Sequence, residues 1–206
     1  MGVLEKFQNP GSAGFDPLPS TFSLIRENLF ANCSSLREIT IPSSIETICN
    51  SAFYCSMLRK VTIEANSKLH SIFESAFSRC INLTKISLPS SLTWIGKSFM
   101  SRNLTLKEVE IHKDCKVQTL EDQLFSECRQ LGIFTFPPLI ESIGNECFFG
   151  CSSLTELIFP DSLSIIHQKA FQDCRLVKKV RFSPILTTIM EGAFLKCSSI
   201  EELHFP

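Results

Sequence analysis

Apolar residues recur along this chain in one line, Leu-x-x-Ile-x-x-x-x-Phe-x-x-Cys-x-x-Leu-x-x-Ile-x-Ile-Pro, written eight times with polar residues between them. Phe30, Phe53, Phe77, Phe99, Phe125, Phe148, Phe171 and Phe194 set the register, at spacings of 23, 24, 22, 26, 23, 23 and 23 residues. A fixed period of this length over most of a chain predicts a solenoid, in which each unit buries its apolar residues only against its neighbours. Equivalent positions then stack into internal ladders.

Within each unit one stretch alternates with period two. The pairs Ile39/Ile41, Val61/Ile63, Ile86/Leu88, Val109/Ile111, Phe134/Phe136, Leu157/Phe159, Val180/Phe182 and Leu203/Phe205 are apolar in every unit. They predict one short strand per unit with its apolar face inward. Stacking places such strands about 4.8 Å apart in a parallel sheet. Pro42, Pro89, Pro137, Pro160 and Pro206 follow the strand directly and end the pairing, because proline has no N–H to donate. The segments around the Phe, such as residues 168–171, are too short for a long helix and predict helical or 3₁₀ turns on the opposite wall. The expected fold class is an α/β repeat solenoid.

Composition acts by exclusion. With 20 Lys and Arg against 21 Asp and Glu, the net charge of −1 leaves no basic footprint for nucleic acid. No apolar run reaches the roughly 18 residues that span a bilayer, so direct membrane insertion is not expected, and the N-terminus lacks the pattern of a signal peptide. Most of the 18 Phe fall at repeat positions and are core.

Of the ten cysteines, Cys33, Cys80, Cys128, Cys151, Cys174 and Cys197 lie three residues after the repeat Phe. They form a ladder of small buried side chains, since free Cys behaves as a small hydrophobe. Parallel side-chain vectors from equivalent positions disfavour disulfides between coils. Cys147 occupies the slot of Ala52, Ala76, Ala170 and Ala193, so it replaces a core methyl; no His stands close enough to complete a zinc site, and neither metal nor cofactor is expected. Cys115, in the lengthened connection of residues 112–116, is the thiol expected to be reactive. His70, His112, His167 and His204 fall at four different places in the repeat, and there is no phosphate loop or nucleophile elbow. No catalytic residue is assigned, and an enzyme is not expected. Serine pairs such as Ser43-Ser44 and Ser90-Ser91 sit where turns are expected and serve turn chemistry.

The line from Ile140 through Ile143, Gly144, Phe148, Cys151, Leu154, Leu157 and Phe159 to Pro160 resembles the BspA-type leucine-rich repeat. The resemblance runs from about Phe22 to Pro206. It implies a curved, right-handed coil of the leucine-rich-repeat type and a protein-binding role, associated in surface proteins of bacteria and protists with adhesion to host proteins and cells. It carries no catalytic residues. Departures fall in the middle: the family glycine survives only as Gly96 and Gly144, the second unit loses a residue before Met57, and the fourth lacks the ladder cysteine. A local irregularity near units two to four is expected.

If the sheet is the binding face, its outward positions form two columns. One holds Thr40, Thr62, Ser87, Glu110, Thr135, Ile158, Arg181 and His204; the other holds Glu38, Lys60, Lys85, Glu108, Ile133, Glu156, Lys179 and Glu202. The second column mixes signs, so neighbours such as Glu38 with Lys60, Lys85 with Glu108, and Lys179 with Glu156 and Glu202 can pair laterally. Ile133 and Ile158 are apolar where their columns are otherwise polar, which marks a partner contact. The candidate site therefore comprises Ile133, Thr135, Glu156, Ile158, Lys179, Arg181 and His204.

Residues 1–20 do not fit the repeat and read as a linker or partial cap, with Val3, Leu4, Phe7, Phe15 and Leu18 available to cover the first coil. Residues 21–206 form the eight-unit solenoid, whose last coil is expected to be uncapped and open to a partner or to end-to-end self-association. Localisation divides the observations. Asn32, Asn82 and Asn103 head N-glycosylation sequons, and the resemblance favours a surface-associated adhesion or antigen-like protein with a host or matrix ligand. The free-thiol pattern suits a reducing interior, and with it an intracellular scaffold for a protein partner.

Overall fold

Each unit forms two strands rather than one. In the computed structural model, which describes residues 18–206, the expected stretches give β2 (Glu38–Ile41), β4 (Lys60–Ile63), β6 (Lys85–Leu88), β8 (Glu108–Ile111), β10 (Ile133–Phe134), β12 (Glu156–Ile158), β14 (Lys179–Arg181) and β16 (Glu202–His204). A second column of two-residue strands ends at the earlier Ile of each unit: β1 (Leu24–Ile25), β3 (Thr47–Ile48), β5 (Ser71–Ile72), β7 (Trp94–Ile95), β9 (Thr119–Leu120), β11 (Ser142–Ile143), β13 (Ile165–Ile166) and β15 (Thr188–Ile189). All pairing is parallel between successive units. Val3, Leu4, Phe7 and Phe15 lie outside the described residues; Leu18 is buried.

The helical or 3₁₀ turns expected around the Phe are not formed, and no helix occurs among the described residues. The α/β expectation becomes a parallel β-solenoid of about eight turns. Two residues per unit, four apart, take positive φ instead, as at Asn28 and Asn32, Ser75 and Arg79, or Lys169 and Asp173. This breaks the local helix and turns every second N–H toward the next coil. Asn28, Phe30 and Asn32 donate to the carbonyls of Asn50, Ala52 and Tyr54; Glu146, Phe148 and Gly150 donate to those of Gln168, Ala170 and Gln172. The same three bonds cross every junction between units.

These bonds correct one register. Phe77 N–H donates to the Phe99 carbonyl, and Met100 N–H to the Leu124 carbonyl. Phe99 therefore stands in the Ala slot, and Met100 fills the slot held elsewhere by the repeat Phe. The rings report it too. Phe148 and Phe171 stack at 5.2 Å and 6°, and Phe53 and Phe77 at 4.7 Å and 16°, whereas Phe99 meets Phe77 edge-on at 5.8 Å and 83°.

The ladder position three residues on is a hydrogen-bond donor as well as a small side chain. In units such as those of Phe53, Phe125 and Phe148 the carbonyl of the repeat residue accepts the N–H three residues later and has a second lone pair free. The following coil supplies the donor: Cys80 Sγ to Phe53 O at 3.2 Å, Cys128 Sγ to Met100 O at 3.1 Å, Cys151 Sγ to Phe125 O at 3.2 Å, and Cys174 Sγ to Phe148 O at 3.2 Å. In unit four Asn103 takes this place. Its Nδ2 donates to Phe77 O at 2.9 Å and Met100 O at 2.7 Å, while its Oδ1 is buried without a partner.

The walls are not continuous. The short strands form two sheets, β1-β3-β5-β7 and β9-β11-β13-β15; the long strands form three, β2-β4, β6-β8-β10 and β12-β14-β16. The break after β4 follows a connection holding the left-handed Asn66 and falls within the region where irregularity was expected. The break between β10 and β12 was not expected. Unit five alone carries Phe at both inward positions, and the Phe134 ring sits 4.9 Å from both Phe136 and Phe148 and 5.1 Å from Phe125, filling the space behind the strand.

Replacing Asn103 by Cys should restore the ladder thiol and remove the unpaired carboxamide oxygen. A buried unsatisfied polar atom costs about 1–3 kcal/mol and one net hydrogen bond is worth about 1, so Asn103→Cys is expected to raise the urea midpoint, by about 1 kcal/mol in stability. A lower midpoint would mean that the bond to Met100 outweighs the orphaned oxygen.

Candidate functional site

The pleat turns Glu156, Ile158 and Arg181 outward and buries Leu157 and Val180 between them. The registers Glu156 to Lys179, Ile158 to Arg181 and Arg181 to His204 place the C-terminal candidates side by side. Some charges pair across the sheet as expected: Lys85 bridges Glu108 at 3.3 Å and Glu110 at 2.7 Å, and Lys179 reaches Glu156 at 3.7 Å. The hydrogen bond from Lys85, helped by Ser87, lowers the Glu110 carboxyl from its ordinary value, and the bond to Glu110 raises the Lys85 ammonium. His204 turns along its own strand to Glu202, at 3.1 Å.

Ile133 and Ile158 do not lie on one continuous sheet. Ile133 pairs backward with Glu108 and Ile158 forward with Arg181, while β10 and β12 share no hydrogen bonds. Between them opens a cleft of about 510 Å³ whose lining includes Ile133, Thr135 and Pro138 from one side and Glu156, Ile158 and Pro160 from the other. Ile133 is 64% and Ile158 48% exposed. The structure thus brings Ile133, Thr135, Glu156 and Ile158 together around the cleft, and sets Lys179, Arg181 and His204 beyond its C-terminal side. Sequence reasoning missed the cleft; its signal is the doubled Phe of unit five.

The thiols reverse one expectation. Cys115 is fully buried, its Sγ donates to Leu92 O at 3.3 Å, and burial pushes its thiol up; it is not the reactive cysteine. Cys55 is the exposed thiol. All ten cysteines are free, and among the described residues no group of His, Cys, Asp or Glu is arranged to hold a metal ion. Of the sequons, Asn32 is exposed and Asn82 half-buried, whereas Asn103 is enclosed and closed to glycosylation in the folded chain. Serine hydroxyls tie coil to coil, as Ser44 to Phe22 O and Ser91 to Leu69 O, both at 2.7 Å.

The chain matches the BspA type leucine-rich repeat region in six copies, over residues 7–132 and 118–206, and it belongs to that family. It is similar in structure to a leucine-rich repeat protein of Eubacterium ventriosum, at 26% identity and a TM-score of 0.75 over 84% of this chain and 46% of that one. It is also similar to the pneumococcal vaccine antigen PcpA, at 21% identity and 0.65 over 89% and 56%, and to the leucine-rich repeat protein TpLRR of T. pallidum, at 24% and 0.65 over 81% and 74%. The chain spans about half the length of the first two. At these identities the last two share the fold. No curated protein matches the sequence. The matches point to no catalytic family. Among the described residues no helix is long and apolar enough to cross a membrane.

Iodoacetamide is expected to modify Cys55 in the native protein and Cys115 only after unfolding, as read by peptide mass mapping. Burial also pushes the thiols of Cys80 and Cys128 up, to about 11 and about 12, from 9.0. Between those values the unfolded chain has already lost the protons that the fold retains, so stability holds below about pH 9 and falls as pH rises toward 11–12. Urea midpoints measured from pH 8 to 11 check the slope.

Proposed function

We propose that this chain is a non-enzymatic protein-binding repeat module carried on the cell surface in an adhesion or antigen-like role. The observation that carries the binding role is the open cleft on an otherwise polar sheet, with an exposed isoleucine on either rim. Ile133 and Ile158 take an apolar side chain of a protein ligand, Thr135 and Glu156 offer polar contacts beside it, and Lys179, Arg181 and His204 extend the contact along the C-terminal strands. Desolvated apolar anchors with a polar surround are where interface energy concentrates. Family membership and the likeness to a vaccine antigen support the surface placement. A second reading, an intracellular scaffold using the same face, is favoured by the ten free thiols.

Protease shaving of intact source cells separates the two readings. Release of peptides from this chain without cytosolic markers is the expected result; detection only after lysis would shift the assignment to the scaffold. For the face itself, Ile133→Asp with Ile158→Asp is expected to leave the urea midpoint unchanged within about 0.5 kcal/mol, since both side chains are exposed. It should weaken retention of chain-coated beads on a host cell layer at least about tenfold, the loss of two interface anchors of about 1 kcal/mol or more each. Unchanged retention would remove the cleft from the contact.

A further inference from the structure

The second left-handed position of each turn forms a column: Asn32, Cys55, Arg79, Arg102, Glu127, Gly150, Asp173 and Lys196. Its later charges are neutralised. Glu127 pairs with Arg129 at 2.8 Å, and Asp173 pairs with Arg175 at 2.8 Å and Lys196 at 3.7 Å. Arg79 and Arg102 are different. They stand in adjacent coils, about 4.8 Å apart at the backbone, and neither forms an ion pair or a side-chain hydrogen bond among the described residues. Arg79 has only the Tyr54 ring, 6.0 Å from its guanidinium carbon.

Two residues further along, the column reads Ser34, Met57, Ile81, Leu104, Arg129, Ser152, Arg175 and Ser198. It is apolar in three consecutive units only, and two of them are the units that carry the unpaired arginines. Ile81 and Leu104 are 44% and 43% exposed. Together these residues line a cleft of about 450 Å³ on the turn wall, with Cys55 at one end and Glu127 and Arg129 at the other. Three guanidinium groups face one carboxylate there, in a chain whose net charge is −1. It shares no residue with the cleft of Ile133 and Ile158.

We propose that this second cleft binds a small amphiphilic anion, an apolar group bearing one carboxylate. The carboxylate bridges Arg79 and Arg102, whose planar donors match it and lack any internal partner. The apolar part lies on Met57, Ile81 and Leu104 and removes them from water. Apolar walls with a few convergent polar groups are the usual make-up of such sites.

Cys55 supplies a local reporter: its alkylation by uncharged iodoacetamide is followed by mass spectrometry in the whole chain. Octanoate, standing for a fatty-acyl source, and acetyl-leucine, standing for a peptide carboxyl terminus, are each compared with the matching neutral amide. A carboxylate is expected to slow alkylation at least about fivefold at saturation, the amide to have no effect, and Arg79→Gln with Arg102→Gln to abolish the protection. Glutamine already occupies a left-handed turn position at Gln123, so the double variant retains the turn. The carboxylate that protects at the lower concentration names the source. Equal protection by an amide, protection that persists in the double variant, or none from either carboxylate would overturn the proposal.

Discussion

The backbone ladder of the turn wall is the constraint on which the molecule depends. It alone crosses every junction, with three hydrogen bonds each time, while both strand walls are interrupted. Its geometry requires two left-handed residues per unit, and most are not glycine. Such residues cost about 1–3 kcal/mol each. Three hydrogen bonds at about 0.5–1.5 kcal/mol each and the burial of a Phe worth about 1.5–3 kcal/mol bring the junction into balance. The phenylalanine stack and the bent turn are therefore one device: the strained backbone aims each ring onto the ring before it.

The same device explains the ladder cysteines. A thiol is small enough to sit beneath the ring and still completes the second lone pair of the preceding carbonyl, which alanine does not. Asn103 reaches that carbonyl with an amide and leaves an oxygen stranded. Unit four is thus the place where sequence, ring stacking and hydrogen bonding all depart from the repeat together.

The period, the inward strand pairs of the first seven units, the burial of Cys147 and the outward columns were legible in the sequence, because apolar alternation and stacking fix them directly; the last pair, Leu203 and Phe205, is exposed. The turn wall was not. Its left-handed residues are Ser, Arg, Gln, Glu and Lys more often than Asn or Gly, so the usual mark of positive φ is absent. The two-residue strands were hidden for another reason: a single buried Ile beside a polar neighbour shows no alternation to detect. Phe99 misled because Phe fits the Ala slot of unit four, and only the inter-coil bonds reveal that Met100 carries the repeat. Cys115 misled because a lengthened connection reads as exposed, whereas its thiol turns inward. Ile133 and Ile158 were visible as exceptions in their columns, but the opening between them depends on the volume of the rings behind β10.

The interruptions in the two strand walls do not coincide. The short-strand wall parts between β7 and β9, and the long-strand wall parts after β4 and after β10. They are offset like the joints of brickwork. Any plane drawn between two coils cuts the turn ladder and at least one intact strand wall, so the molecule has no natural cleavage plane. At each opening the opposite strand wall is unbroken and keeps the coils in register.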